Sequence, residues 1–158
     1  MNRTGIGWDS HRLVAGRELV LGGVRLESEF GLEGHSDADV LTHAVIDALL
    51  GAAGLDDIGT HFPDTDPRFK DADSIALLEE AGRLVAQGGL AIVNVDATVM
   101  LEVPKIDGHR AQMRERLAAA LGLDPSQVNV KATTGEGMDA VGRGEGAAAI
   151  AVATLRAS

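Results

Sequence analysis

The chain has no cysteine, no tyrosine and a single tryptophan, and aromatic residues make up only 3% of it. Without cysteine there can be no disulfide and no zinc ribbon, which fits a reducing cytoplasm. With so few aromatics, the core has to be built from Ala, Val, Leu and Ile. Alanine buries little area, so a small alanine-rich domain gains from burying more surface against copies of itself. No apolar run reaches transmembrane length and the N-terminus has no signal-peptide h-region, so a cytoplasmic protein with no membrane partner is expected. Basic clusters are also missing. The net charge is −10, which argues against nucleic acid and anionic lipid as partners. At 158 residues the whole chain, 1–158, reads as a single domain with one core.

What is present is concentrated around Gly34-His35-Ser36-Asp37-Ala38-Asp39 and the helical pattern that follows. Asp39, His43 and Asp47 fall at i, i+4 and i+8 and share one helix face. A histidine flanked by carboxylates suits a metal: one ring nitrogen ligates and the other donates to an acid that fixes the tautomer. The same spacing also suits a solvated polar stripe on a surface helix. A second stretch, Gly5-Ile6-Gly7-Trp8-Asp9-Ser10-His11, reads as a strand. Residues two apart in a strand face the same way, so Asp9 and His11 project together. With His43 they make an Asp-His-His set that leaves a fourth zinc position open. The plainer alternative for Asp9 and His11 is an Asx turn at a strand end beside an exposed histidine.

Along the chain, Ala15-Gly16-Arg17 turns out of the first strand. Glu18 to Leu26 reads as a second strand with Gly22-Gly23 as a bulge, and Phe30 to Glu33 as a loop. Asp37 is the expected N-cap of a helix from Ala38 to about Ala53, ended by Gly54, with Val40, Leu41, Ala44, Val45, Ala48 and Leu49 buried. Leu55 to Asp73 holds six aspartates with Gly59, Pro63 and Pro67, and irregular segments of that length are often functional. Ser74 would cap a helix from Ile75 to Gln87. Leu90 to Val103 alternates as a long half-buried strand. A helix from about Gly108 to Leu121, a strand Val128 to Thr133, a glycine-rich loop Gly135 to Gly146 and a strand Ala147 to Leu155 follow. The alanines of that last strand would let another backbone approach near a symmetry axis. About five strands and three helices without a βαβ alternation predict an α+β fold, a mixed β-sheet packed on helices in a two-layer sandwich.

Lys131-Ala132-Thr133-Thr134-Gly135-Glu136 brings together a cation, two hydroxyls and a carboxylate. It suits phosphate and Mg²⁺, or is a polar strand end running into a loop. Arg143 and Glu145 fit either an anion site or an intersubunit salt bridge.

Taken together, the chain resembles the 2-C-methyl-D-erythritol 2,4-cyclodiphosphate synthase family. The matching pieces run in order over nearly the whole chain: Asp9-Ser10-His11, His35-Ser36-Asp37-Ala38-Asp39, His43, Asp47 to Ala52, Asp57-Ile58-Gly59, Phe62 to Pro67, Pro104-Lys105-Ile106, Asn129 to Thr134 and Gly142 to Gly146. The resemblance implies a homotrimer with strands toward the threefold axis and active sites between subunits. It implies a small nucleotide-diphosphate substrate, 4-diphosphocytidyl-2-C-methyl-D-erythritol 2-phosphate, which cyclises as CMP leaves. Asp9, His11 and His43 would hold Zn²⁺ or another divalent transition metal, and Glu136 would hold Mg²⁺ or Mn²⁺. His35 and Thr134 would flank the phosphates as catalytic residues. Asp47, Asp57 and Gly59 would lie at the ribose, and Pro104, Lys105, Ile106, Asp107 and Thr133 around cytosine. Phe62, Pro63, Asp64, Thr65 and Asp66 would close over the methylerythritol part. Ser36, Ile58, Lys131 and Arg143 complete the implied substrate-binding set.

This chemistry needs no protein nucleophile, because the substrate's own 2-phosphate attacks its β-phosphorus. The chain offers no Ser-His-Asp or Cys-His arrangement. It departs from the family pattern at Trp8, Ala38 and Asp56, and most in the Gly135 to Val141 loop. Ala140 in place of an aromatic and the charge of Asp139 count against a prenyl diphosphate in a central cavity. His61 and His109 read as structural or solvated. Two other readings compete: an idle trimer that senses isoprenoid diphosphates, which would not need Asp9, His11 and His43, and a metal-dependent phosphodiesterase, which would need a water-activating base.

Overall fold

The computed structural model describes residues 1–158 and opens with β1 (Asn2–Ala15), which runs the length of the sheet. A hairpin of β2 (Leu19–Leu21) and β3 (Val24–Leu26) follows, then β4 (Phe30–Leu32) and α1 (Val40–Ala53). A short α2 (Ile58–His61) and a 3₁₀ turn at Pro67–Phe69 lead to α3 (Ser74–Gln87) and β5 (Leu90–Met100). The chain closes with α4 (Arg110–Leu121), β6 (Val128–Thr133), a short α5 (Asp139–Gly142) and β7 (Gly146–Ala157). The main sheet has the order β4-β1-β7-β5-β6. All pairs are antiparallel except β5 with β6, so the sheet is mixed. No helix is long and apolar enough to cross a membrane.

Period-2 alternation in β1 sends Gly5, Gly7, Asp9 and His11 toward the helices and leaves Ile6 and Trp8 exposed on the other face. The glycines are what let α1 sit down on the sheet. A Cβ on Gly7 would lie 1.9 Å from the Ala44 carbonyl oxygen, and one on Gly5 2.1 Å from that of Ala48. The alanines Ala147, Ala149, Ala151 and Ala153 of β7 are buried on this same helix-facing side. Their small size serves the internal approach of α1. The opposite face of β7 presents Ile150 and Val152.

Several boundaries differ from the sequence expectation. Gly22-Gly23 is the two-residue turn of a hairpin, not a bulge, and both residues have positive φ, which glycine adopts without strain. Phe30–Leu32 pairs with β1 instead of forming a loop. Asp39, not Asp37, caps α1 and accepts from the Thr42 N–H. Likewise Asp73 caps α3, with Ser74 inside the helix. The strand from Leu90 stops at Met100, and Val103 is exposed. A turn of 3₁₀ helix at Asp107–His109 precedes α4, and the loop after β6 contains α5. Helix α1 is buried nearly all round, including Thr42, Ile46, Leu50 and Ala52. A solvated polar stripe on its surface is thereby excluded for His43.

Candidate active site

Asp9 and His11 come from β1 and His43 from the α1 turn that the β1 glycines hold close. The three ligand-capable atoms meet. Asp9 Oδ2 lies 2.8 Å from His11 Nε2 and 3.1 Å from His43 Nδ1, and the two nitrogens are 3.4 Å apart. Donor atoms on a tetrahedral zinc stand roughly 3.3 Å apart. The outer ring edges are tied back. His11 Nδ1 donates to the Glu33 carbonyl at 2.9 Å, and His43 Nε2 lies 2.7 Å from Ser74 Oγ and 3.2 Å from Ser36 Oγ.

With His11 protonated on Nδ1, its Nε2 is a bare lone pair beside a carboxylate oxygen. Such a convergence of acceptors calls for a cation or a proton. The metal-free pKa directions say the same. Burial alone would push Asp9 up, but hydrogen bonds and charge from His11 and His43 hold it at about 2. Burial alone would push His11 down, but its bond to the Asp9 carboxylate raises it. The donor set fits a divalent ion with a position left open.

This cluster forms the wall of a cleft of about 400 Å³. His35, Ser36, Ile58, Gly59, Phe62, Pro63, Asp64 and Thr65, all named by the family resemblance, line the same cleft. Phe69 and Leu77 line it too, without a sequence signal. His35 Nε2 is anchored to the Asp66 carbonyl at 3.1 Å, and Arg17 holds the same loop through the carbonyls of Gly34 and Ser36. Asp47 accepts from the Ile58 N–H at 3.0 Å, and Asp57 caps α2 through Thr60. Asp66 caps the 3₁₀ turn and pairs with Arg68.

A second, smaller cleft of about 80 Å³ is lined by Pro104, Lys105, Ile106, Asp107, Thr133 and Thr134, with Val99, Leu101 and Ala132. It shares no residue with the first. Glu136, exposed and at φ 53°, follows Thr134, whose hydroxyl accepts the Glu136 N–H. Two cations of the expected set lie outside both clefts. Lys131 pairs with Asp96 at 2.8 Å, and Arg143 pairs with Glu145 of its own chain at 2.9 Å. Asp39, expected to share a metal-facing stripe with His43, instead accepts from the Gly22 and Gly23 N–H groups and from Thr42, tying the hairpin to α1. His61 donates to the Leu55 carbonyl, a structural role.

The YgbB family model matches residues 2–156. The 2-C-methyl-D-erythritol 2,4-cyclodiphosphate synthase of Desulfosudis oleivorans is 62% identical over 153 residues, 97% of this chain and 91% of that one. The structure of the bifunctional IspDF from Campylobacter jejuni matches with a TM-score of 0.97 at 42% identity, covering 100% of this chain and 43% of the other. Plasmodium falciparum IspF in its CDP complex matches with a TM-score of 0.87 at 32% identity, covering 99% and 97%. A family model matched over nearly the whole chain, on a fold that matches from end to end, places this chain in the YgbB family.

Proposed function

We propose that the protein cyclises 4-diphosphocytidyl-2-C-methyl-D-erythritol 2-phosphate to 2-C-methyl-D-erythritol 2,4-cyclodiphosphate with release of CMP, in non-mevalonate isoprenoid biosynthesis. The observation that carries the reading is the convergence of Asp9, His11 and His43 in a cleft, within a chain 62% identical to a curated synthase of that name. In the reaction a 2-phosphate oxygen bonds to the β-phosphorus and the bond from that phosphorus to CMP breaks. Proton balance requires no acid or base, and the substrate supplies the nucleophile, so folding its two ends together accounts for much of the rate. A divalent transition metal on Asp9, His11 and His43, with Mg²⁺ or Mn²⁺ on Glu136, would supply Lewis-acid polarisation and offset the anionic charge.

The protein's own residues position and desolvate. His35, held by its Nε2–H to the Asp66 carbonyl, flanks the phosphates, and Thr134 adds a hydroxyl donor. Asp47, Asp57 and Gly59 face the ribose, with Ser36 and Ile58 completing that wall of the cleft. Phe62, Pro63, Asp64, Thr65 and Asp66 cover the methylerythritol. Pro104, Lys105, Ile106, Asp107 and Thr133 form the cytosine pocket. Lys131 and Arg143 would have to leave Asp96 and Glu145 to reach substrate.

The two clefts of one chain are half-sites, and the second half comes from a neighbouring copy in a homotrimer. Ile6, Trp8, Ile150 and Val152, exposed on the helix-free face of the sheet, suit such packing. The test is CMP release from the diphosphocytidyl substrate with Mg²⁺. Absence of CMP from zinc-loaded protein would refute the activity. For the shared site, co-assembled His43→Ala and Glu136→Gln chains should show activity well above that of either variant alone. No recovery in mixed assemblies would place both halves within one chain.

A further inference from the structure

The metal cluster accounts for one edge of the His43 ring, and the other edge leads elsewhere. His43 Nε2 sits 2.7 Å from Ser74 Oγ, at the first residue of α3. The Ser74 hydroxyl in turn donates to Asp37 Oδ1, and the Ser74 N–H donates to Asp37 Oδ2 at 3.0 Å. Ser74 is fully buried. Asp37 also accepts the Asp39 N–H and lines a separate polar cleft of about 360 Å³ with Arg17, Arg25 and Arg116.

We propose that Ser74 and Asp37 are positioning residues that fix the tautomer of His43 and so commit its Nδ1 to the metal; this rests on the metal reading of Asp9, His11 and His43. The logic is a count of protons. An ionised carboxylate only accepts, so the single Ser74 hydroxyl proton goes to Asp37. Ser74 is then left to accept from His43, which must carry its proton on Nε2. In the neutral ring Nδ1 is then the lone pair that faces Asp9. Ser36 could not enforce this alone. Its hydroxyl is farther, at 3.2 Å, and its proton is uncommitted, so it could equally donate to Nε2 and drive the ring to the wrong tautomer. Asp37 breaks that symmetry from behind Ser74.

The experiment uses the full-length protein. In the metal-free, ¹⁵N-histidine-labelled protein at about pH 8, where imidazole is neutral, long-range ¹H–¹⁵N correlation should show His43 protonated at Nε2. Ser74→Ala should populate the Nδ1–H form. Zinc affinity by chelator competition should fall roughly 10–100-fold in Ser74→Ala and similarly in Asp37→Asn. The double variant should be no weaker than Ser74→Ala, because Asp37 acts through Ser74. A parent His43 protonated at Nδ1, unchanged affinity in both variants, or additive losses in the double variant would each overturn the relay. If Ser74→Ala does not fold, Asp37→Asn carries the comparison. A parent that binds no zinc refutes the metal reading instead, and the tautomer of its His43 still decides the relay.

Discussion

Asp9 Oδ2 stands 3.1 Å from His43 Nδ1, a contact between residues 34 positions apart that joins the middle of β1 to the first turn of α1. Everything proposed for the metal depends on that contact. It follows that His43→Ala should abolish stoichiometric zinc binding while leaving the fold, because Asp9 and His11 alone are short of a zinc ligand set. Activity should fall on the order of a thousand-fold or more, as expected when several kcal/mol of Lewis-acid stabilisation is lost. Elemental analysis and circular dichroism of the variant check it. Full zinc retention would show that the cluster is not the metal site.

The same cluster should leave a signature on the stability of the chelated protein. Asp9 titrates at about 2 when folded, below its ordinary 3.8, so its contribution is present above 3.8 and lost as pH falls toward 2. His11 is raised above 6.5, so its contribution is full below 6.5 and lost as pH rises through the folded value. The stability difference between parent and Asp9→Asn should therefore peak between those limits, at roughly 1–2 kcal/mol after allowance for solvent screening. Denaturant titrations from pH 3 to 8 measure it, and a flat difference would contradict the pairing.

Glu136 should matter to a different ion. Glu136→Gln keeps the shape and one oxygen but loses the charge that a hard cation prefers. Bound zinc should be unchanged and the rate should drop on the order of a hundred-fold, with partial recovery at raised Mg²⁺. A variant that loses its zinc, or whose Mg²⁺ dependence matches the parent, would remove Glu136 from this role.

A stability prediction comes from the sheet. Gly7→Ala would place a methyl group 1.9 Å from the Ala44 carbonyl. Backbone must move, at a cost of about 3 kcal/mol or more. The shift also separates His43 from Asp9 and His11, so thermal stability and zinc affinity should fall together. A melting temperature equal to the parent's would mean that α1 is not packed as described.

The Asp9-His11-His43 cluster was legible in the sequence because both halves obey local periods: Asp9 and His11 share a strand face, and His43 lies on a helix whose pattern is clear. Its support was not legible. Ser74 reaches His43 across 31 positions, and Glu33 meets His11 through a carbonyl, which carries no side-chain signal. Capping was misplaced for a similar reason. Asp37 and Asp39 are both good cap residues; in the fold Asp39 takes the cap and also accepts from the Gly22-Gly23 turn, while Asp37 accepts from Ser74. The alanines of β7 announce a close approach, but which of the two faces is approached depends on the glycines of β1. The separation of the two clefts is a property of the folded chain, and residue order along the sequence does not reveal it.

The most direct test of the account is the fate of water oxygen. The protein, loaded with zinc and Mg²⁺, is incubated with the diphosphocytidyl substrate in H₂¹⁸O, and both products are weighed by mass spectrometry. Attack by the substrate's own phosphate predicts CMP and the cyclodiphosphate, neither carrying ¹⁸O. Label in CMP, or a labelled linear bisphosphate in place of the ring, would show hydrolysis and contradict it.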